Sequence, residues 1–229
     1  MAITTVGEIL RRAKLILQEV TQNGTRWTNE ELLGWLNESY QAIVGMKPDA
    51  SSVNMEIACA QGTKQMIPDD GHRLLDVIRN VAPGAGGISV MQTSRSALDA
   101  TRRGWHGEAP SQTVECFVFD DHDPRHFYVY PPATATARLE IIYSSVPTPH
   151  AKAQATTAST EAIRLGDSFA PAIVDYILFR AYSKDAEHAA NLNRAQMHNG
   201  AFITALGAES QAGVLYSPNQ DLRAKGQHA

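Results

Sequence analysis

The apolar residues of this chain change period twice. They recur at helical spacing up to about residue 50, alternate from about 51 to 147, and return to helical spacing after about 167. A 3.6-residue period greases one face of a helix, and a period of two greases one face of a strand. The pattern predicts an α+β protein. A helical hairpin (1–50) and C-terminal helices (167–208) pack as one bundle, with a β-rich antiparallel insertion (51–147) between them. A linker (148–166) and an extended C-terminal tail (209–229) complete the organisation.

Both opening helices carry a start signal. Thr5-Val6-Gly7-Glu8 and Thr28-Asn29-Glu30-Glu31 each read as a capping box, with a threonine accepting from the backbone and a glutamate reaching back. Val6, Ile9, Leu10, Ala13, Ile16, Leu17 and Val20 share one face of the first helix, and Asn23-Gly24 is expected to end it. The second helix is greasy on two sides. Leu32, Trp35, Leu36, Ala42, Ile43 and Met46 form one stripe; Leu33, Tyr40 and Val44 form another. Such a helix lies between layers or is shared with a second subunit. Leu15, off the main face of the first helix, joins Leu33, Tyr40 and Val44 as a candidate subunit interface.

In the β-rich part, Val53, Met55, Ile57 and Cys59 alternate and Gln61-Gly62 turns into KQMI, which predicts a hairpin. RLLDVIRN, TVECFVF, HFYVYPP and LEIIYSS supply further strands, with a short helix near Arg95–Arg102. PTPHAKAQATTAST (147–160) reads as an exposed connection. After a cap at Asp167 or Ser168, Pro171 fits a first turn, and AIVDYILF is apolar nearly all round, so this helix belongs at the bundle centre. Past Gly207 no periodicity remains. The 19 residues from 211 to 229, extended at about 3.3 Å each, would reach about 60 Å. Leu215-Tyr216 is their one apolar pair and the candidate anchor of a docking tail.

Charge narrows the function. Twenty Lys and Arg against 24 Asp and Glu leave −4, and no basic block breaks the balance. Gripping a phosphate backbone needs a basic excess, so nucleic acid is expected to pass this protein rather than be held by it. Charges interrupt MAITTVGEILRRAKLIL too often for a signal peptide, and no apolar run reaches membrane-spanning length, so synthesis in a cytoplasm is expected. Cys59 and Cys116 alone make neither a disulfide framework nor a zinc site and are expected to be free thiols.

Two clusters invite a catalytic reading. In YSKDAEH (182–188), Asp185 and His188 could share a helix face, but adjacent Glu187 and His188 cannot both face one metal. The spacings of a zincin or a di-iron bundle are absent, so this is the wet end of a helix. DDHDPRH (120–126) holds Asp120, Asp121, His122, Asp123 and His126, the groups a metal-assisted hydrolase would use, for instance to cleave a cell wall. It lacks the alternating acids of a calcium loop, and Asp-Pro between strands is ordinary turn chemistry. PGAGG lacks the lysine of a phosphate loop and runs into a strand. No catalytic residue, metal ligand or cofactor site is assigned.

RWTNEELLGWLNESYQAIVGMKPDA, RLLDVIRN, FVFDDHDPRHFYVYPP, LEIIYSSVP and DYILFRAYSKDAEHAANLNRAQMHNGAF together resemble the head-to-tail adaptor (connector) proteins of tailed bacteriophages, over roughly residues 5–207. The resemblance implies a non-enzymatic virion protein at the head–tail junction. It implies a homo-oligomeric ring, usually of twelve copies, that joins the portal to tail or nozzle proteins and continues the DNA channel. A stopper or tail-completion protein is the neighbouring structural reading. A closed head-to-tail ring needs two different sticky surfaces on each subunit, which two apolar stripes would supply.

Overall fold

The computed structural model describes residues 4–185 and 189–215. The chain divides into a helical unit, formed by Met1–Lys47 with Pro147–Ala229, and a β unit, Pro48–Val146. The protein is α+β, with its N- and C-terminal helices packed together.

In the helical unit, α1 (Val6–Leu17), α2 (Asn29–Met46) and α5 (Ala189–Leu215) all pack on α4 (Ala170–Lys184). Ala172, Ile173, Ile177, Leu178 and Ala181 of α4 are buried, as its all-round apolarity demands. Thr28 and Glu31 close the reciprocal capping box of α2. At α1 only half of the motif forms: Thr5 accepts from the Glu8 N–H, while the Glu8 carboxylate pairs with Arg12 one turn on. The first helix stops earlier than Asn23-Gly24. Gln18 takes the left-handed conformation (φ 56°) and its N–H returns to the Leu15 and Lys14 carbonyls. Val20 therefore leaves the apolar face.

Residues 147–166 are more than an exposed connection: many are exposed, but His150, Ser159, Ile163 and Leu165 are buried. They form a strap pressed onto α1 and α2. The Val6 N–H donates to the Glu161 carbonyl (2.8 Å), and the Ile163 N–H donates to the Thr4 carbonyl (3.0 Å). A Cβ on Gly7 would lie 2.5 Å from the Ser159 carbonyl oxygen, so only glycine lets the strap lie this close to α1. Asn37 grips the strap twice, donating to the His150 carbonyl (3.2 Å) and accepting from the His150 N–H (2.8 Å). Asp167 is no helix cap. Its carboxylate accepts from the Thr4 N–H (2.9 Å), and α4 starts after a 3-10 turn over Asp167–Phe169. Nor is the segment after Gly207 extended from residue 209, because α5 continues through Leu215.

The β unit has two sheets, ordered β1-β7-β3 and β2-β6-β5-β4. The strands are β1 (Ser52–Ala58), β2 (Gly62–Met66), β3 (Gly71–Asn80), β4 (Met91–Gln92), β5 (Cys116–Phe119), β6 (His126–Ala133) and β7 (Arg138–Ser145). Between the sheets lie Ile67, Val77, Phe127, Val129, Leu139, Ile141 and Tyr143. The other face of β5 and β6 places Val118 and Tyr130 in a smaller cluster with Trp105 and Leu98, the latter on α3 (Arg95–Thr101). β1 and β2 are not a hairpin. They belong to different sheets, and the turn between them is clasped by the buried Gln65 amide, which bonds Ala60 twice and Gly62 once.

One side of the β unit is closed by the chain itself. Residues 87–90 bond to the outer edge of β3, and residues 91–93 then bond along β5. Buried Asn80 rivets that corner: its side chain donates to the Ile88 and Val114 carbonyls and accepts from the Val114 N–H. Across the sheet, β1 pairs with β7 alone.

Candidate assembly surface

Among the described residues, the most exposed large apolar side chains of the helical unit are at and just after the C-terminal end of α1. Leu15 is 72% and Val20 93% exposed, with Ile16 half-exposed between them. They stand on a turn that is held from below and from the side. Beneath it, buried Lys14 donates to the Thr21 carbonyl (2.6 Å), the Gln22 carbonyl (2.8 Å) and Asn29 Oδ1 (3.1 Å). A cation so placed holds the carbonyls of the loop that follows α1 with charge-assisted bonds. At the side, the Glu19 carboxylate accepts from the Thr21 hydroxyl (2.8 Å) and the Arg26 N–H (3.1 Å). The Thr21 hydroxyl and the loop N–H groups around Thr25 hold the Glu19 pKa down to about 2. Gly24 closes the loop at φ 79°, where a Cβ would collide with the Trp27 carbonyl.

Grooves flank this ridge on both sides. One, of about 740 Å³, runs past Arg11, Leu15, Val20 and Thr157 of the strap. The other, of about 770 Å³, lies between the turn and Arg194, Met197 and His198 of α5. A firmly held apolar ridge between two troughs suits docking, since little ordering entropy remains to be lost.

The polar end of α4 fastens this region. Trp27 Nε1 donates to the Ala181 carbonyl (3.0 Å), and Lys184 bonds the Arg26 carbonyl (3.1 Å) and Glu31 (2.6 Å). The Lys184 bond holds the Glu31 carboxyl below its usual range. Asp185 takes an ion pair from Arg26 and a hydrogen bond from Asn191 (2.5 Å). Tyr182 stacks on His198, whose Nδ1 bonds Asp175 (2.8 Å). Glu187 and His188 lie outside the described residues. What YSKDAEH shows up to Asp185 is a fastening of helix ends.

Of the proposed interface residues, Leu15 is at the surface, but Leu33, Tyr40 and Val44 are buried within the chain's own fold. The strap covers this second stripe at Tyr40. Tyr40 donates its hydroxyl proton to His150 Nε2 (2.8 Å) while accepting from the Arg164 N–H (3.0 Å). His150 Nδ1 in turn bonds Glu161 (2.6 Å). This bonding order fixes a neutral imidazole protonated on Nδ1. Burial holds the His150 pKa below its ordinary value, against the opposing pull of Glu161, and pushes the Tyr40 phenol up to about 12. Arg164 and His150 hold Glu161 below the carboxylate range. Glu-His-Tyr in this order looks like a proton relay, but its hydroxyl is sealed inside the unit, where no substrate reaches it. The sequence carries no local signal for it, because 110 residues separate Tyr40 from His150. Leu215 ends α5, and Tyr216 is outside the described residues.

The acids and histidines of 120–126 do not converge. His122 bonds Asp120 (2.9 Å), His126 bonds Asp123 (2.8 Å), and Asp121 pairs with Arg73. His122 is 96% exposed. Among the described residues no three His, Cys, Asp or Glu side chains are grouped to hold a metal ion. Cys59 and Cys116 are free thiols, and burial pushes Cys59 up to about 11, far from thiolate nucleophilicity. No described helix is long and apolar enough to cross a membrane.

The family model of the SU10 adaptor protein matches residues 4–222, nearly the whole chain. The chain belongs to the SU10 adaptor protein family. No curated protein matches it. The adaptor is thus a member of a family of structural phage proteins, not of enzymes, and its partners are parts of the virion. For such a protein the ridge and its grooves are the surface of interest, and the carboxylates of 120–126 are turn chemistry.

Proposed function

We propose that the adaptor is one segment of a closed ring, usually of twelve copies, seated between the portal and the tail or nozzle proteins of a phage particle. In this reading it continues the channel through which DNA leaves. The observation that carries the proposal is the Leu15–Val20 ridge: apolar, exposed and held in shape by Lys14 and Glu19, in a member of an adaptor family. Exposed apolar area of this kind marks a surface that is covered in the working assembly. Leu15 then belongs to a subunit contact, with the two grooves as the counter-surfaces a head-to-tail ring requires. The mildly acidic balance fits a lumen that DNA crosses without sticking. Leu215 and Tyr216, at and just beyond the end of α5, remain the proposed portal-docking anchor.

Light scattering of the purified protein, alone and with portal, tests the reading. A ring-sized species that collapses to folded monomer in a Leu15→Asp, Val20→Asp double variant is expected. A wild-type monomer that ignores portal overturns the proposal. Removal of residues 216–229 should leave the protein folded and weaken portal binding. Unchanged binding would remove Tyr216 and the residues after it from the proposed anchor.

A further inference from the structure

The sequence contains the pair Asn-Gly twice, at 23–24 and at 199–200. In this pair the backbone nitrogen after the asparagine is least shielded, because glycine has no Cβ. The fold puts the two copies in opposite settings. Asn199-Gly200 lies in the middle of α5, where each N–H is held by the carbonyl four residues back and the backbone dihedrals are fixed. Asn23-Gly24 lies in the turn between α1 and α2.

In that turn glycine is obligatory. Gly24 has φ 79°, and a Cβ there would lie 2.1 Å from the Trp27 carbonyl oxygen. Asn23 is exposed, and among the described residues nothing bonds its side-chain amide. The Gly24 N–H donates to the Thr21 carbonyl at 3.3 Å, just beyond the usual range for such a bond. The Asn23 carbonyl accepts from the Asn29 N–H (3.1 Å), which draws electron density from the Asn23–Gly24 peptide and makes its own N–H more acidic. An open pocket of about 430 Å³, lined in part by Asn23, Gly24, Glu30 and Lys152, brings solvent to the pair.

We propose that Asn23 is a site of spontaneous deamidation, singled out from Asn199 by the fold. Hydroxide takes the Gly24 amide proton, and the nitrogen attacks Cγ of Asn23. The new N–Cγ bond expels the side-chain nitrogen, which leaves as ammonia with a proton from water, and a five-membered succinimide remains. Water then opens the ring and the proton returns to the Gly24 nitrogen. Opening at the former side-chain carbonyl gives aspartate. Opening at the main-chain carbonyl gives isoaspartate, in which the chain runs through the former side chain and the carbonyl that served Asn29 becomes a free carboxylate. Either product adds a negative charge to the pocket that holds Glu30. Isoaspartate also adds a methylene to the turn whose Thr21 and Gln22 carbonyls Lys14 holds. The turn that shapes the ridge therefore carries the residue that ages it. The chemistry is the same whether or not the ridge docks in a ring.

The test incubates the full chain in mildly alkaline buffer, folded and in urea. Peptide mapping by mass spectrometry, with fragmentation that separates aspartate from isoaspartate, follows positions 23 and 199. In urea the two sites should convert at similar rates. In the folded protein, conversion at 199 should fall about tenfold or more below that at 23, because ring closure there waits for the helix to open. Isoaspartate should appear at 23, as the ring requires. Conversion at 23 no faster than at 199 in the folded protein overturns the proposal. Aspartate at 23 without isoaspartate also overturns it, since that is the product of direct hydrolysis.

Discussion

The strap over residues 147–166 and the turn over residues 120–126 invert each other. In sequence the turn is dense with acids and histidines, while the strap is a run of alanine, threonine and proline. In the fold the dense cluster is an exposed loop whose histidines bond the acids beside them, and the bland run holds the buried Tyr40–His150–Glu161 chain. Crowded ionisable residues are commonly crowded where water solvates them, because burying so many charges together is costly. A network that survives burial draws its members from distant segments, so that each lone pair and proton finds a partner of the right kind.

The sharpest way to break this contrast is to remove one member of the buried network. His150→Ala leaves the Tyr40 hydroxyl and the Glu161 carboxylate without their partner and opens space under the strap. A loss of about 2–4 kcal/mol is expected in urea unfolding followed by circular dichroism. Tyr40→Phe keeps the ring and deletes only the hydroxyl that serves His150 and the Arg164 N–H, so about 1–2 kcal/mol should be lost. If either variant matches wild type, the strap is ornamental and the contrast fails.

The same network predicts a pH dependence. His150 has a lowered pKa in the fold, so the unfolded chain takes up its proton first. Stability is full above the ordinary imidazole value near 6.5, falls as pH drops through it, and levels once the folded imidazole also protonates. Glu161, also lowered, adds a second loss as pH falls below its ordinary value of 4.5. Urea midpoints measured across this range should show the first slope in wild type and lack its His150 component in a His150→Gln variant. Smallest of all should be the effect of Asp121→Ala or His122→Ala. Both side chains are exposed, and stability should change by no more than about 0.5 kcal/mol.

What could be read from the sequence was whatever depends on near neighbours. Thr28 and Glu31 sit three apart and made their capping box; the alternation in HFYVYPP and LEIIYSS made β6 and β7. The second stripe of α2 was also legible as a surface needing cover. What the sequence did not say was that residues 147–166 would cover it at Tyr40, because a strap has no period of its own. Gln18 ended α1 where no glycine or asparagine announced it, and β1 and β2 parted into separate sheets although their turn looked like a hairpin. At the candidate surface, Leu15 was identified by being out of phase with its helix. Val20 was assigned to the buried face and reached solvent only because the helix stopped short.

The strap also sets an order of events at the ribosome. α1 is made among the first residues, but the backbone that lies against Gly7 and bonds Val6 is Ser159 and Glu161, some 150 residues later. At about 5–20 residues per second, the nascent first helix waits on the order of ten seconds for the segment that shelters it. Through that interval its apolar side is open to chaperones and to sister chains on the same message, so the period of greatest danger for this protein comes before it is finished.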